Sequence, residues 1–301
     1  MSQEQKAAID AQLRATSLDT SLEPAVLRKA FATMMAAFPD PAGVGLSPTT
    51  LGGRPALEIT PDGGATTGTI LYFHGGSWVV GSPDTARHLT AALVRRTGAR
   101  GISVDYRLAP EHPFPAAIED GVAAYRDLLG QGVPPEQIVL AGDSAGGGLT
   151  IVTLLAARDA GLPQPAAAVT FSPGLDTTRS GQSMRTKEGI DPMLTREMVE
   201  RTGRHHLGGQ DPHQPLASPA VYADPRGLPP LLIQVGTHEI LLDDSVRFAA
   251  RAAAADVDVI LDVTAGVPHV FQSYAGQLDE ADAALDRAAR FILDHLGTAQ
   301  S

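Results

Sequence analysis

The sequence predicts an α/β fold, a mostly parallel central sheet with helices on both faces. Three observations carry this. Apolar runs rich in β-branched residues recur at 69–73 (TILYF), 101–104 (GISV), 137–140 (QIVL), 168–171 (AVTF), 230–235 (PLLIQV) and 257–263 (VDVILDV). Helical patterns alternate with them, which is the signature of strand–helix–strand units. The balance of 43% hydrophobic and 19% charged residues over 301 positions suits a chain that buries its own core.

The elements follow in order. The N-terminus, Met1 to Asp10, is polar and lacks the apolar core of a signal peptide. No run approaches the ~20 apolar residues of a membrane helix. A soluble cytoplasmic protein is therefore the expectation. Two amphipathic helical patterns, around 3–15 and 23–37, precede any strand and end at Phe38-Pro39-Asp40-Pro41, a clear stop. Helices are expected over 84–97, 116–130, 145–160, 243–255 and 279–296. Residues 183–221 break the alternation. They form a long insert with a helical patch at 195–207 and a proline-rich exit. Loops of this length tend to carry function or cover a site, so the N-terminal helices and this insert are expected to pack together as a lid.

Several function classes are set aside at once. Lys and Arg number 23 against 34 Asp and Glu, a net charge of −11 with no basic run, which suits neither nucleic acid nor an anionic membrane. The absence of cysteine removes a disulfide scaffold, a thiolate zinc site and a thiol nucleophile. No cofactor and no metal are expected.

Ser144 is the candidate nucleophile. The strand QIVL runs into Ala141-Gly142-Asp143-Ser144-Ala145-Gly146, and a helical pattern follows at once. A serine on so sharp a turn is forced into a strained backbone, and small neighbours prevent clashes. Its hydroxyl then stands at a helix N-terminus, where free N–H groups favour developing negative charge. A phosphate loop would need Gly-Lys-Ser/Thr next, and none follows. The strand TILYF leads into His74-Gly75-Gly76-Ser77-Trp78, where adjacent glycines let N–H groups face a ligand. Gly75, Gly76 and Ala145 are the expected oxyanion donors. His74 is then structural, with a catalytic His74 as its rival.

Of nine histidines, His269 lies on the loop after the last strand and is the expected base, with His238 next. The acid should follow the strand PLLIQV, where Glu239, Asp243 and Asp244 stand. Glu239 is favoured because it lies in the loop itself. Asp243 remains open, since acidic residues also cap helices for structural reasons. Asp143, Ser77 and Trp78, beside the nucleophile and the donor loop, are candidate substrate contacts. A role in the turn is equally open for Asp143. Phe38, Met193, Leu194 and Met198 are candidate walls of an acyl pocket, although ordinary cap packing is the favoured reading for each.

HGGSW (74–78), DYRLAPEHPFPAA (105–117) and GDSAGG (142–147) together resemble the bacterial hormone-sensitive-lipase-like carboxylesterases of the α/β-hydrolase fold. The resemblance spans about residues 40–297. It implies Ser144 as nucleophile, His269 as base, and Gly75, Gly76 and Ala145 as oxyanion donors. The family's acid motif, Asp-Pro-Leu-x-Asp, corresponds to Glu239-Ile240-Leu241-Leu242-Asp243, so Glu stands where Asp is usual; Ser77 replaces the last glycine of HGGG. It further implies a helical cap, from residues 1–40 and the insertion 183–221, over a catalytic domain of 41–182 and 222–301. Many members are homodimers through a sheet edge. The proline-dense 105–117 stretch reads as a rigid loop beneath the site, with Asp105 and Glu111 as scaffold. The expected activity is serine carboxylesterase on short- to medium-chain esters. A lactone hydrolase with the same triad, an acyltransferase and a non-catalytic receptor on the same fold are the alternatives.

Overall fold

The computed structural model describes residues 2–16 and 18–296. Met1, Ser17 and residues 297–301, which the expected domain boundaries include, lie outside the described residues. Two helices come first, α1 (Ser2–Ala15) and α2 (Pro24–Met35), then a hairpin of β1 (Val44–Leu51) and β2 (Arg54–Pro61). The alternating part runs β3 (Thr69–Phe73), α3 (Pro83–Thr97), β4 (Arg100–Val104), α4 (Ala116–Gly130), β5 (Ile138–Asp143), α5 (Ala145–Asp159) and β6 (Ala167–Phe171). An excursion follows with α6 (Ser183–Thr186), α7 (Arg196–Leu207) and α8 (Pro219–Tyr222). The chain closes with β7 (Leu231–Gly236), α9 (Leu242–Ala254), β8 (Val259–Thr264) and α10 (Asp279–His295).

The strands form one sheet in the order β1-β2-β4-β3-β5-β6-β7-β8. The β1–β2 and β2–β4 pairs are antiparallel and the rest parallel. Strands β3, β6 and β7 are buried along their whole length. Covered on both faces, they read in sequence as unbroken apolar runs. Neighbouring residues serve opposite faces: Phe73 joins a core with Tyr125, Leu149 and Phe248, while Tyr72 joins one with Leu89, Leu285 and Ile292. Helix ends follow local chemistry. Ser82 N donates to Thr85 Oγ1 at 3.0 Å at the start of α3, and Thr195 Oγ1 accepts from Met198 N at 3.2 Å at the start of α7.

The hairpin β1–β2 adds to the expected elements. Strand β1 (VGLSPTTL) has no apolar run and is mostly exposed. It lies at the sheet edge, where Pro48 is tolerated.

From β3 the chain moves to β4 on one side, then returns to β5 on the other. The carboxyl ends of β3 and β5 therefore meet at a topological switch point, the usual ligand crevice of an open α/β sheet. Three irregular segments close over that end. Helix α1 packs Ile9 and Leu13 on Val267, Phe271 and Tyr274. Helix α2 packs Leu27 on Val79, Val80 and Ala109, and the excursion packs Met184, Leu194 and Val199 on Ile240 and Leu241. Arg28 fastens α2 with hydrogen bonds to Val79 O and Ala109 O, each 2.9 Å, and an ion pair to Glu111. Among the described residues no helix is long and apolar enough to cross a membrane.

Candidate active site

Ser144 sits between β5 and α5 with φ +52° and ψ −119°. A non-glycine residue in this left-handed region costs about 1–3 kcal/mol, so its surroundings must enforce it. Ser144 N donates to Phe171 O at 2.8 Å, and Ser144 O accepts from Gly148 N at 3.0 Å and Gly174 N at 3.1 Å. Helix α5 can begin this close to β3 only because residue 146 is glycine: a Cβ there would stand 2.0 Å from Phe73 O.

The loops after β5, β7 and β8 bring three of the expected residues into one line. Ser144 Oγ lies 2.9 Å from His269 Nε2, and His269 Nδ1 lies 2.8 Å from Glu239 Oε2. Glu239 is fully buried, and its Oε1 accepts from Gly236 N at 2.5 Å and Ser172 Oγ at 2.7 Å. Every neighbour on this carboxylate is a donor, which suits the ionised, acceptor-only form. Asp243 is elsewhere: its Oδ2 accepts from Ser183 N at 3.0 Å. Asp244 Oδ2 accepts from Leu175 N and Asp176 N, and burial pushes its carboxyl up to about 7.

Burial alone would lower the pKa of His269. The hydrogen bond and charge of Glu239, with the charges of Asp191 and Asp143, outweigh burial and raise it above its ordinary value. A raised pKa marks an imidazole ready to hold a proton at Nδ1 and to receive one at Nε2.

The loop after β3 departs from expectation in two places. Gly75 does not present a free N–H, because it donates to Asp143 Oδ1 at 3.1 Å. The same contact explains the glycine, since a Cβ at 75 would lie 2.1 Å from Asp143 Oδ2. The N–H groups of Gly76, Ser77 and Ala145 have no acceptor among the described residues. The second departure is Trp78. It does not line the cavity beside Ser144; its ring stacks on His206 at 4.2 Å and meets Tyr106 edge-on at 6.5 Å. An indole is wide enough to bridge the 77–80 loop to α7, and that packing turns it away from Ser144.

Beneath the loop lies the 105–117 stretch. Tyr106 OH donates to His74 O at 2.7 Å, Ala109 N donates to Trp78 O at 2.9 Å, and the His74 ring stacks on Tyr106 at 4.2 Å. Burial lowers His74 to about 4, so it is neutral, and its Nδ1–H donates to Gly75 O at 2.9 Å. Asp143 Oδ1 also accepts from Tyr72 OH at 2.8 Å, and burial pushes the Asp143 carboxyl up to about 6. Asp143 thus joins the Ser144 turn to the loop at 74–78 while lining the cavity.

That cavity, about 220 Å³, opens over Ser144 and His269. Phe38, Met193, Leu194 and Met198, candidates as acyl-pocket walls, line it, as does Ser77. Leu27, Phe31, Met34 and Met35 of α2 line it too and were not singled out from the sequence, although the amphipathic pattern at 23–37 pointed to a buried face. Ser172 and Asp191 were also missed. Asp191 accepts from Met193 N and Leu194 N at 2.9 Å and from Ile240 N at 3.0 Å, so it ties the excursion to the residue after Glu239. Neither belongs to a recognisable motif; only the fold brings them to the site.

Comparison with known proteins agrees with this geometry. A profile described as the alpha/beta hydrolase fold matches residues 70–273. The chain is 46% identical over 224 residues to an acetyl-hydrolase of Streptomyces hygroscopicus, covering 74% of this chain and 75% of that protein. It is 37% identical over 277 residues to an esterase of Acinetobacter venetianus, covering 92% and 91%. The crystal structure of an esterase from the bacterial hormone-sensitive lipase family is similar at TM-score 0.94 and 41% identity, over 98% of this chain and 99% of that one. The chain belongs to the α/β-hydrolase fold family, in its bacterial hormone-sensitive-lipase branch, and is a carboxylic ester hydrolase.

Proposed function

We propose that the protein is a serine esterase that hydrolyses short- to medium-chain carboxylic esters through an acyl-enzyme intermediate. The observation that carries this is the unbroken line Ser144 Oγ–His269–Glu239 at 2.9 and 2.8 Å, opening on a largely apolar cavity. Ser144 attacks the ester carbonyl as His269 Nε2 takes its proton. Glu239 holds the tautomer with the proton on Nδ1 and stabilises the imidazolium, without itself taking the proton. The tetrahedral oxyanion forms against the N–H groups of Gly76, Ser77 and Ala145, already aimed and free of other acceptors. His269 then protonates the leaving alcohol, and in the second half it activates the water that releases the acid.

Residues 1–40 and 183–221 serve in this reading as a two-part cap over a catalytic domain formed by the rest. The apolar walls they contribute, Phe31, Phe38 and Met198 among them, favour an acyl chain over a charged group. The name acetyl-hydrolase carried by the Streptomyces relative supports a short acyl group.

The test is turnover of p-nitrophenyl esters from acetyl to dodecanoyl. Wild type prefers the short to medium chains. Ser144→Ala abolishes turnover, Glu239→Gln lowers kcat by roughly 10⁴-fold, and Asp243→Asn stays within a few fold of wild type. Activity retained in Glu239→Gln but lost in Asp243→Asn would transfer the acid to Asp243. No turnover of any ester by wild type would overturn the reading.

A further inference from the structure

The serine esterase reading uses Ser144, His269 and Glu239. A second serine, Ser172, touches the loops of two of them. It follows β6 directly and is fully buried. Its Oγ donates to Glu239 Oε1 at 2.7 Å and accepts from Val270 N, the residue after His269, at 3.0 Å. We propose that Ser172 is a positioning residue for ester hydrolysis, fixing the acid and the base loop against each other through one hydroxyl. The inference rests on the assignment of Glu239 and His269 above.

Hydrogen-bond inventory leaves the hydroxyl little choice. It has one proton and two lone pairs. The amide of Val270 donates to it, so its own proton goes to the carboxylate. Glu239 is then met at Oε1 by Gly236 N and Ser172 Oγ, and at Oε2 by His269 Nδ1. With Oε1 held from two sides, the carboxylate plane cannot turn, and Oε2 stays on the imidazole. Without Ser172 the carboxylate would keep a backbone donor at one atom but lose, among the described residues, its only side-chain hydrogen bond apart from the histidine.

The backbone is arranged for this contact. Ser172 has φ +50° and Val270 has φ +51°, both in the left-handed region that non-glycine residues avoid. For a β-branched valine this is a strained conformation. Ser172 N donates to Gln234 O at 2.7 Å, which anchors the turn to β7, the strand leading to Glu239. Three loop origins, after β6, β7 and β8, converge on one oxygen.

The measurement is steady-state hydrolysis of p-nitrophenyl acetate by Ser172→Ala and Ser172→Gly, each alone and combined with Glu239→Gln. Glycine tolerates φ +50° without strain and guards against a folding defect in the alanine variant. Both single variants are expected to lose ~10- to 100-fold in kcat, the scale of one hydrogen bond to a charged group, with KM within about twofold. A carboxylate free to turn holds the His269 proton less firmly, so burial counts for more and the acid limb of kcat/KM moves to lower pH, in the direction expected of Glu239→Gln. Because Ser172 acts through Glu239, the double variants fall no further than Glu239→Gln alone. Wild-type kcat in Ser172→Gly, or losses that multiply in the double variants, would overturn the proposal. If Ser144→Ala or Glu239→Gln itself stays active, the failure belongs to the triad assignment instead.

Discussion

In the proposed mechanism His269 must be free at Nε2 to accept the Ser144 proton, so its protonation would set the acid limb of activity. Burial works against a charged imidazole here, yet Glu239 at 2.8 Å, with the charges of Asp191 and Asp143, outweighs it and raises the pKa. The inactive imidazolium therefore persists to higher pH than in a free histidine. The acid limb of kcat/KM is expected above the ordinary imidazole value of 6.5. In Glu239→Gln the largest raising influence is gone and burial counts for more against Asp191 and Asp143, so the residual activity should show an acid limb at lower pH than wild type. A pH–rate profile of both proteins checks this, and an unchanged limb would detach Glu239 from the imidazole. At this scale the sequence spoke unevenly. Ser144 announced itself through its glycine neighbours and the strand before it. The sequence favours Glu239 over Asp243 because it lies in the loop itself, but both follow the same strand, and the distance to His269 is what separates them. Gly75 looked like an oxyanion donor from its place in HGGSW, but Asp143 claims its N–H across 68 positions of sequence.

Elements tell a different story. The buried strands and the helices between them are legible within a residue or two, except that β5 runs three residues past the expected 137–140, because sheet burial on both faces writes continuous apolar runs. The β1–β2 hairpin was not legible, since an exposed edge strand needs no apolar signal. The β5–α5 junction shows how tightly elements meet. A Cβ at residue 146 would come within 2.0 Å of Phe73 O and 2.5 Å of His74 O, both backbone atoms. Gly146→Ala is thus expected to lose about 3 kcal/mol or more of stability and most of the activity. Gly130, at the end of α4, would place its Cβ in open space. Gly130→Ala should be neutral or stabilising by up to about 0.5–1 kcal/mol. Thermal melts of the two variants test the contrast directly, and equal melting points would refute it.

For the molecule as a whole, the cavity is the property that no single element owns. Its walls come from α1 and α2, from the excursion around Met193 and Met198, and from the loops carrying Ser77 and His269. Arg28, bonded to Val79 O and Ala109 O, fastens the first wall, and Asp191, bonded to Ile240 N, fastens the second. Chain-length selection should follow these walls. Met198→Trp is expected to lower kcat/KM for hexanoyl esters by about 10-fold relative to acetyl esters, because the larger ring takes space that only the longer chain uses. A series of p-nitrophenyl esters reads this out. An equal fall for both substrates would place Met198 outside the acyl path.

The chain by itself determined the class of fold, the order of its main strands, the turn that exposes Ser144 and the kind of chemistry that turn serves. These depend on local periodicity and on short stretches where only small residues fit, and both are written in consecutive positions. Tertiary structure alone decided which carboxylate meets His269, which N–H groups stay free, that Trp78 packs against His206 rather than the cavity, and that Ser172 and Asp191 belong beside the site. Each of these is a distance between segments 30 to 128 residues apart, set by how the sheet orders its strands, and no pattern of neighbours along the chain encodes such a distance.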